Sequence, residues 1–184
     1  HQCKYRFGLT GTLDGSQTHK LVLEGLFGIA EKVVSTKELM DKKTLANLQI
    51  KCIVLKHPIK KERMDYVEEI DYIVSRETRN KFILDLCKTI SGNTLCLFQL
   101  VEKHGKILHD GMKGGENVYF VYGGTDTEQR EKIRGLVEGH KNSTTIASYG
   151  TFSTGINIRN INNIVLASPS KSKIRVLQSI GRGF

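Results

Sequence analysis

Short apolar runs alternate with amphipathic stretches along most of this 184-residue chain, the pattern that a parallel sheet wrapped by helices produces. Residues 51–55, 95–98, 118–121, 145–148 and 163–167 read as strands. Between them the apolar spacing predicts helices. Ser75 can cap one that runs through Ile90 and turns Phe82, Ile83, Leu86 and Ile90 to one side, and 102–112 is a second, weaker one. Thr125 or Asp126 opens a third, striped by Ile133, Leu136 and Val137. A last helix begins near Ser170 or Ser172 and directs Ile174, Val176, Leu177 and Ile180 toward the sheet. Five strands separated by helices predict an α/β repeat with both sheet faces covered, and such sheets take ligands at the carboxyl ends of their strands.

Residues 1 to about 35 fit this repeat less well. They hold an apolar run at 5–9, a glycine-bearing turn at 11–15 and a helical segment at 18–26. Ser35 followed by Glu38 then forms a capping-box pattern that starts a helix through about Lys43. A boundary is therefore predicted near residue 35, between a piece of one domain and most of another. No apolar run approaches the roughly 20 residues of a membrane span, and His1 opens no charged-then-apolar leader, so the chain reads as soluble and cytoplasmic. Cys3, Cys52, Cys87 and Cys96 lack Cys-x-x-Cys spacing; they read as buried or half-buried free thiols.

Charge adds a direction to this picture. Lys and Arg outnumber Asp and Glu by 28 to 19, and after Glu138 there is no acidic residue, while Lys141, Arg159, Lys171, Lys173, Arg175 and Arg182 follow. An acid-free quarter points to an anionic partner: nucleic acid, a phosphate ligand or a membrane surface. Asp65, Glu68, Glu69 and Asp71 read as a solvated acidic helix face, and His104 and His109, five apart, read as solvent-facing, so no metal site is predicted. The chain contains no Gly-x-x-x-x-Gly-Lys-Ser/Thr loop to cradle a triphosphate.

Three segments carry more specific chemistry. Gln178-Ser179-Ile180-Gly181-Arg182 resembles the Gln-x-x-Gly-Arg motif VI of superfamily 2 helicases and translocases. The run from Ser148 through Gly155 and Asn157 to Ile158 resembles motif V, in a Ser-led, Gly-x-Asn-ending form. Phe7-Gly8-Leu9-Thr10-Gly11-Thr12 resembles motif III, with Gly11 where many relatives have Ala. Each is weak alone, but their order and spacing cover nearly the whole chain. The resemblance implies a RecA-like parallel sheet flanked by helices: residues 36–184 as the second lobe, and residues 1–35 as a short N-terminal remnant of the preceding lobe. It also implies that ATP and Mg2+ are bound mainly by an N-terminal helicase lobe, whose motifs I and II this sequence does not contain. The family's second motif VI arginine would fall at position 185.

The resemblance assigns roles that the side chains can perform. Arg182 offers a permanently charged fork for the transferring phosphoryl group, and Gln178, one turn earlier, could orient water or bind phosphate oxygens. Gly155, Asn157 and Gly181 are candidate nucleotide contacts, and Thr10, Gly11 and Thr12 candidates for coupling the lobes. Ser148, Gly124, Thr125 and Arg130 are candidate nucleic-acid contacts after strand ends. For Ser148 and the Gly123–Gly124 pair, an ordinary turn remains an equal reading. Lys171, Lys173 and Arg175 supply general attraction to a backbone or a solvated helix start. The expected function is the C-terminal motor lobe of an ATP-dependent DNA helicase on branched or duplex DNA. The alternatives are a duplex translocase of a restriction or remodelling system and a non-catalytic nucleic-acid-binding module.

Overall fold

The computed structural model describes residues 4–10, 17–43, 48–56, 58, 63–155, 158–172, 176–177 and 179–180, with backbone alone for residue 36 and residues 153–155. The chain divides into two compact units, residues 1–50 and 51–183. In the first, helices α1 (Gln17–Phe27) and α2 (Thr36–Asp41) form where the apolar spacing predicts them. Ser35 Oγ accepts the Glu38 amide at 3.2 Å, and Glu38 Oε2 accepts the Ser35 amide at 2.7 Å, completing the expected capping box. No described residue of this unit is buried. The expected turn at 11–15 lies outside the described residues.

The second unit is built on four parallel strands, β1 (Thr94–Phe98), β2 (Val118–Val121), β3 (Thr144–Ser148) and β4 (Asn163–Leu166), in the order β2-β3-β1-β4. Each lies within a residue of its expected limits. Residues 51–55 are not a strand. They pair with nothing among the described residues, and Ile53 and Val54 stand 52% and 82% exposed. An apolar run records propensity, whereas a strand also needs a partner edge, and this segment has none.

Alternation along β1 sorts the core into two layers. Leu95 and Leu97 point to one face with Val121 and Ala147; helix α6 (Thr127–Gly139) covers it through Ile133 and Val137, and helix α7 (Tyr149–Gly155) through Tyr149 and Phe152. Cys96 and Phe98 point to the other face with Ile146. Helix α4 (Glu77–Thr89) covers that side with Ile83 and Cys87, and helix α5 (Lys106–Gly111) with Leu108. Burial on both faces is why these strands read as continuous apolar runs.

Several local expectations shift. The acidic helix face read at 65–71 is α3 (Tyr66–Val74), and Asp65 is its cap, with its carboxylate accepting the Glu68 amide at 2.8 Å. Ser75 terminates α3 instead of opening α4, whose N-cap, Arg76, makes no side-chain cap bond. The face α4 buries runs through Asn80, Ile83 and Cys87, leaving Phe82 37% exposed. Cys87 and Cys96 are buried as expected, but Cys52 is exposed, because it belongs to the unpaired 51–55 run; Cys3 lies outside the described residues. The expected helix at 102–112 is broken into a π turn, Val101–Gly105, followed by α5. In that turn the amides of His104 and Gly105 both reach the Leu100 carbonyl, at 3.1 and 2.9 Å.

Gly105 is what lets the π turn lie against the sheet. A Cβ there would meet the Phe98 ring at 2.5 Å, whereas one at Gly135, inside α6, would meet nothing within 4 Å. Gly105→Ala is expected to cost about 1–3 kcal/mol by overpacking. Gly135→Ala should be neutral or stabilise by up to about 1 kcal/mol. Urea unfolding of the two variants checks the contrast.

Candidate functional site

The chain leaves β1 toward the face covered by α4 and α5, and leaves the adjacent β3 toward the α7 face. Neighbouring strands whose continuations depart to opposite faces make a switch point, and ligands of such sheets sit at its carboxyl side. Ser148 ends β3 at this edge. Extending the β2–β3 register by one residue sets Tyr122 across from it, so the 122–125 loop is its neighbour.

Both loops are internally bonded. Ser148 Oγ accepts the Thr151 amide at 3.3 Å and lies 2.7 Å from the Thr151 hydroxyl, closing the first turn of α7. Thr125 is buried; its Oγ1 accepts the Tyr122 amide at 3.1 Å, and its own amide donates to the Tyr122 carbonyl at 3.0 Å. At the start of α6 the Asp126 carboxylate accepts the Gln129 amide at 2.7 Å. A phosphate at that helix end would therefore sit beside a carboxylate. A cation there is Arg130, which donates from Nη2 to the Gly123 carbonyl at 3.2 Å while its buried Nε has no partner. Gly124 packs on Tyr122, where a Cβ would meet the ring at 2.6 Å. Gly155 ends α7, and Thr10 lies exposed in the first unit. Gly11, Thr12, Asn157, Gln178, Gly181 and Arg182 lie outside the described residues.

Sequence reasoning missed the centre of this edge. His104, expected in solvent, is fully buried, and His109, also expected in solvent, is half-buried and stacked on Phe120 with centroids 4.9 Å apart. The signal was present in the spacing, since His104, Leu108 and Met112 recur every four residues and all three are buried. His104 Nδ1 lies 2.8 Å from Ser168 Oγ and Nε2 lies 3.1 Å from Asn80 Oδ1. Burial, with the nearby Arg79 guanidinium adding to it, pushes the imidazole down to about 4. Arg79 in turn donates to the Ala167 carbonyl, and burial lowers its own pKa. Among the described residues no three His, Cys, Asp or Glu converge on a metal-sized site.

Residues 78–184 match the family described as Helicase conserved C-terminal domain. The chain belongs to this family. As a helicase C-terminal domain, it resembles the ATP-dependent DNA helicase uvsW of Enterobacteria phage T4, with 38% identity over 190 residues. That alignment takes in 99% of this chain and 38% of the relative, so the chain spans well under half the relative's length. The crystal structure of T4 UvsW superposes with a TM-score of 0.58 at 41% identity, covering 66% of this chain and 25% of the other. The α/β, RecA-like sheet of this helicase lobe is thus the fold that the motifs implied.

The buried histidine makes the lobe acid-sensitive. A folded pKa near 4 lies below the ordinary 6.5, so the unfolded chain binds the extra proton between those values. The stabilising effect of neutral His104 is complete above pH 6.5 and is lost as pH falls toward 4, by about 2 kcal/mol between pH 7 and pH 5. Urea midpoints of wild type and His104→Gln across that range check this, the wild-type advantage shrinking as pH falls.

Proposed function

We propose that this helicase C-terminal domain is the second motor lobe of an ATP-dependent DNA helicase that acts on branched or duplex DNA in recombination, repair or replication. The observation that carries the reading is the 38% identity to an ATP-dependent DNA helicase along 99% of the chain. The carboxyl edge of the sheet supports it, because its loops place Ser148, Gly124, Thr125 and Arg130 at neighbouring strand ends. Arg130 supplies the positive charge toward a DNA phosphate there, and the hydroxyls of Ser148 and Thr125 hold the loops in shape.

In this reading ATP lies between two lobes, with Mg2+ held mainly by the N-terminal one. Arg182 stabilises charge on the transferring phosphoryl group, Gln178 orients water or phosphate, and Gly155, Asn157 and Gly181 approach the nucleotide. Residues 1–35 are the tail of the first lobe, in which Thr10, Gly11 and Thr12 couple the lobes. Their exposure supports this: Tyr5, Phe7 and Leu9 stand 71%, 87% and 100% exposed, as side chains that normally pack against a partner. The site of action is the cytoplasm, that of the host if a phage encodes the protein. No helix of the described residues is long and apolar enough to cross a membrane.

Arg182→Ala in the full-length protein is expected to lower DNA-stimulated ATP turnover by about 10³-fold or more while DNA binding persists. The isolated 184-residue chain should hydrolyse no ATP. Unchanged turnover in the variant would instead mark a non-catalytic binding module. Triplex displacement without strand displacement by the wild type would mark a duplex translocase.

A further inference from the structure

One backbone amide and three side chains form a directional chain where β1 and β4 end. The Gln99 amide donates to Ser168 Oγ at 3.1 Å, and Ser168 lies 2.8 Å from His104 Nδ1. On its other side His104 Nε2 meets Asn80 Oδ1 at 3.1 Å, and the Asn80 amide nitrogen donates to the Val74 carbonyl at 2.8 Å. Only one assignment of protons satisfies every group. Gln99 gives to Ser168, Ser168 gives to Nδ1, and neutral His104 gives from Nε2 to Asn80, whose own donors are turned toward Val74. Asn80, His104 and Ser168 are all buried, so a reversed or missing proton would leave an unsatisfied group.

The same short segment is held from two further directions. Tyr149, the first residue of α7, donates its hydroxyl to the Ser168 carbonyl at 2.8 Å, and Arg79 of α4 donates to the Ala167 carbonyl. Ser168 precedes Pro169, whose ring keeps the preceding residue extended, so the chain leaves β4 along a stiff path. Eight residues later a helical turn occupies 176–177 and 179–180, begun by the Val176 amide on the Ser172 carbonyl at 3.1 Å, and Ser179 in it is fully buried.

We propose that the Gln99–Ser168–His104–Asn80 chain is a positioning device of the motor: it fixes the exit of β4 against α4 and α7, and with it the course on which the chain continues past Pro169. None of the four needs to touch ATP or DNA. Their contribution goes to the geometry in which ATP is cleaved, so it appears in kcat and leaves substrate binding alone. This inference rests on the reading of the chain as part of an ATPase.

The test is steady-state, DNA-stimulated ATP hydrolysis by the full-length protein carrying Ser168→Ala, His104→Leu, His104→Gln, or Ser168→Ala with His104→Leu, each assayed well below its own Tm. Ser168→Ala and His104→Leu are expected to lower kcat about tenfold, with KM for ATP and Kd for DNA within about twofold of wild type. His104→Gln, which keeps a donor and an acceptor, should recover most of kcat, and the double variant should be no worse than either single one. If His104→Leu does not fold, Ser168→Ala against Ser168→Ala with His104→Gln provides the same comparison. Unchanged kcat in folded Ser168→Ala overturns the inference, as do losses that add and follow Tm. A wild-type protein without DNA-stimulated hydrolysis would overturn the proposed function instead, before any variant is compared.

Discussion

Apart from the outer sides of its edge strands, a parallel sheet buried on both faces leaves backbone groups to be satisfied at its two ends, and in this lobe the two ends are treated differently. At the amino end asparagines close the gaps. Asn93 donates to the carbonyls of Val137 and His140 at 3.2 and 2.8 Å and accepts the Ser143 hydroxyl at 2.7 Å, while its carbonyl takes the amides of Asn162 and Asn163. Asn160 reaches the same α6 carbonyls, and Asn142 accepts the Gly92 amide. At the carboxyl end the corresponding work falls to Ser168, which accepts the Gln99 amide, and to Tyr149 and Arg79, which donate to the Ser168 and Ala167 carbonyls.

That division explains the character of the rim. The hydroxyls of Ser148 and Thr125 hold their own turns, and Asp126 already caps α6, so under the proposed function phosphate recognition would rest on Arg130 more than on the helix end. The absence of acids after Glu138 fits the proposed function, in which a carboxylate in the last quarter would repel DNA or nucleotide phosphates. Asp126, at the start of α6, is tied to the Gln129 amide.

How much of this could be read from the chain depends on which interaction set each feature. The four strands were legible because double-sided burial demands apolar runs, and α2 was legible because Ser35 and Glu38 are a local pair. Residues 51–55 carried the same propensity without a partner edge, which no local pattern reports. His104 was misread because a polar ring in a helical stretch looks solvated unless its partners, Asn80 and Ser168, are known, and these lie 24 and 64 residues away in sequence. The asparagine closure of the amino end was invisible for the same reason. The motif residues were legible only as a pattern shared with a family, and the spacing of Gln178 and Arg182 says nothing by itself about nucleotide.

The claim on which the rest depends is that DNA meets this lobe at the carboxyl edge of its sheet. Amide hydrogen exchange of the full-length protein, with and without branched DNA, reports that contact directly. Residues 122–125 and 148–151 should exchange more slowly with DNA, and residues 91–93 and 142–143 at the opposite edge should be unchanged. Protection confined to the 91–93 and 142–143 edge, or none at 122–125 and 148–151 while DNA is bound, would contradict the account.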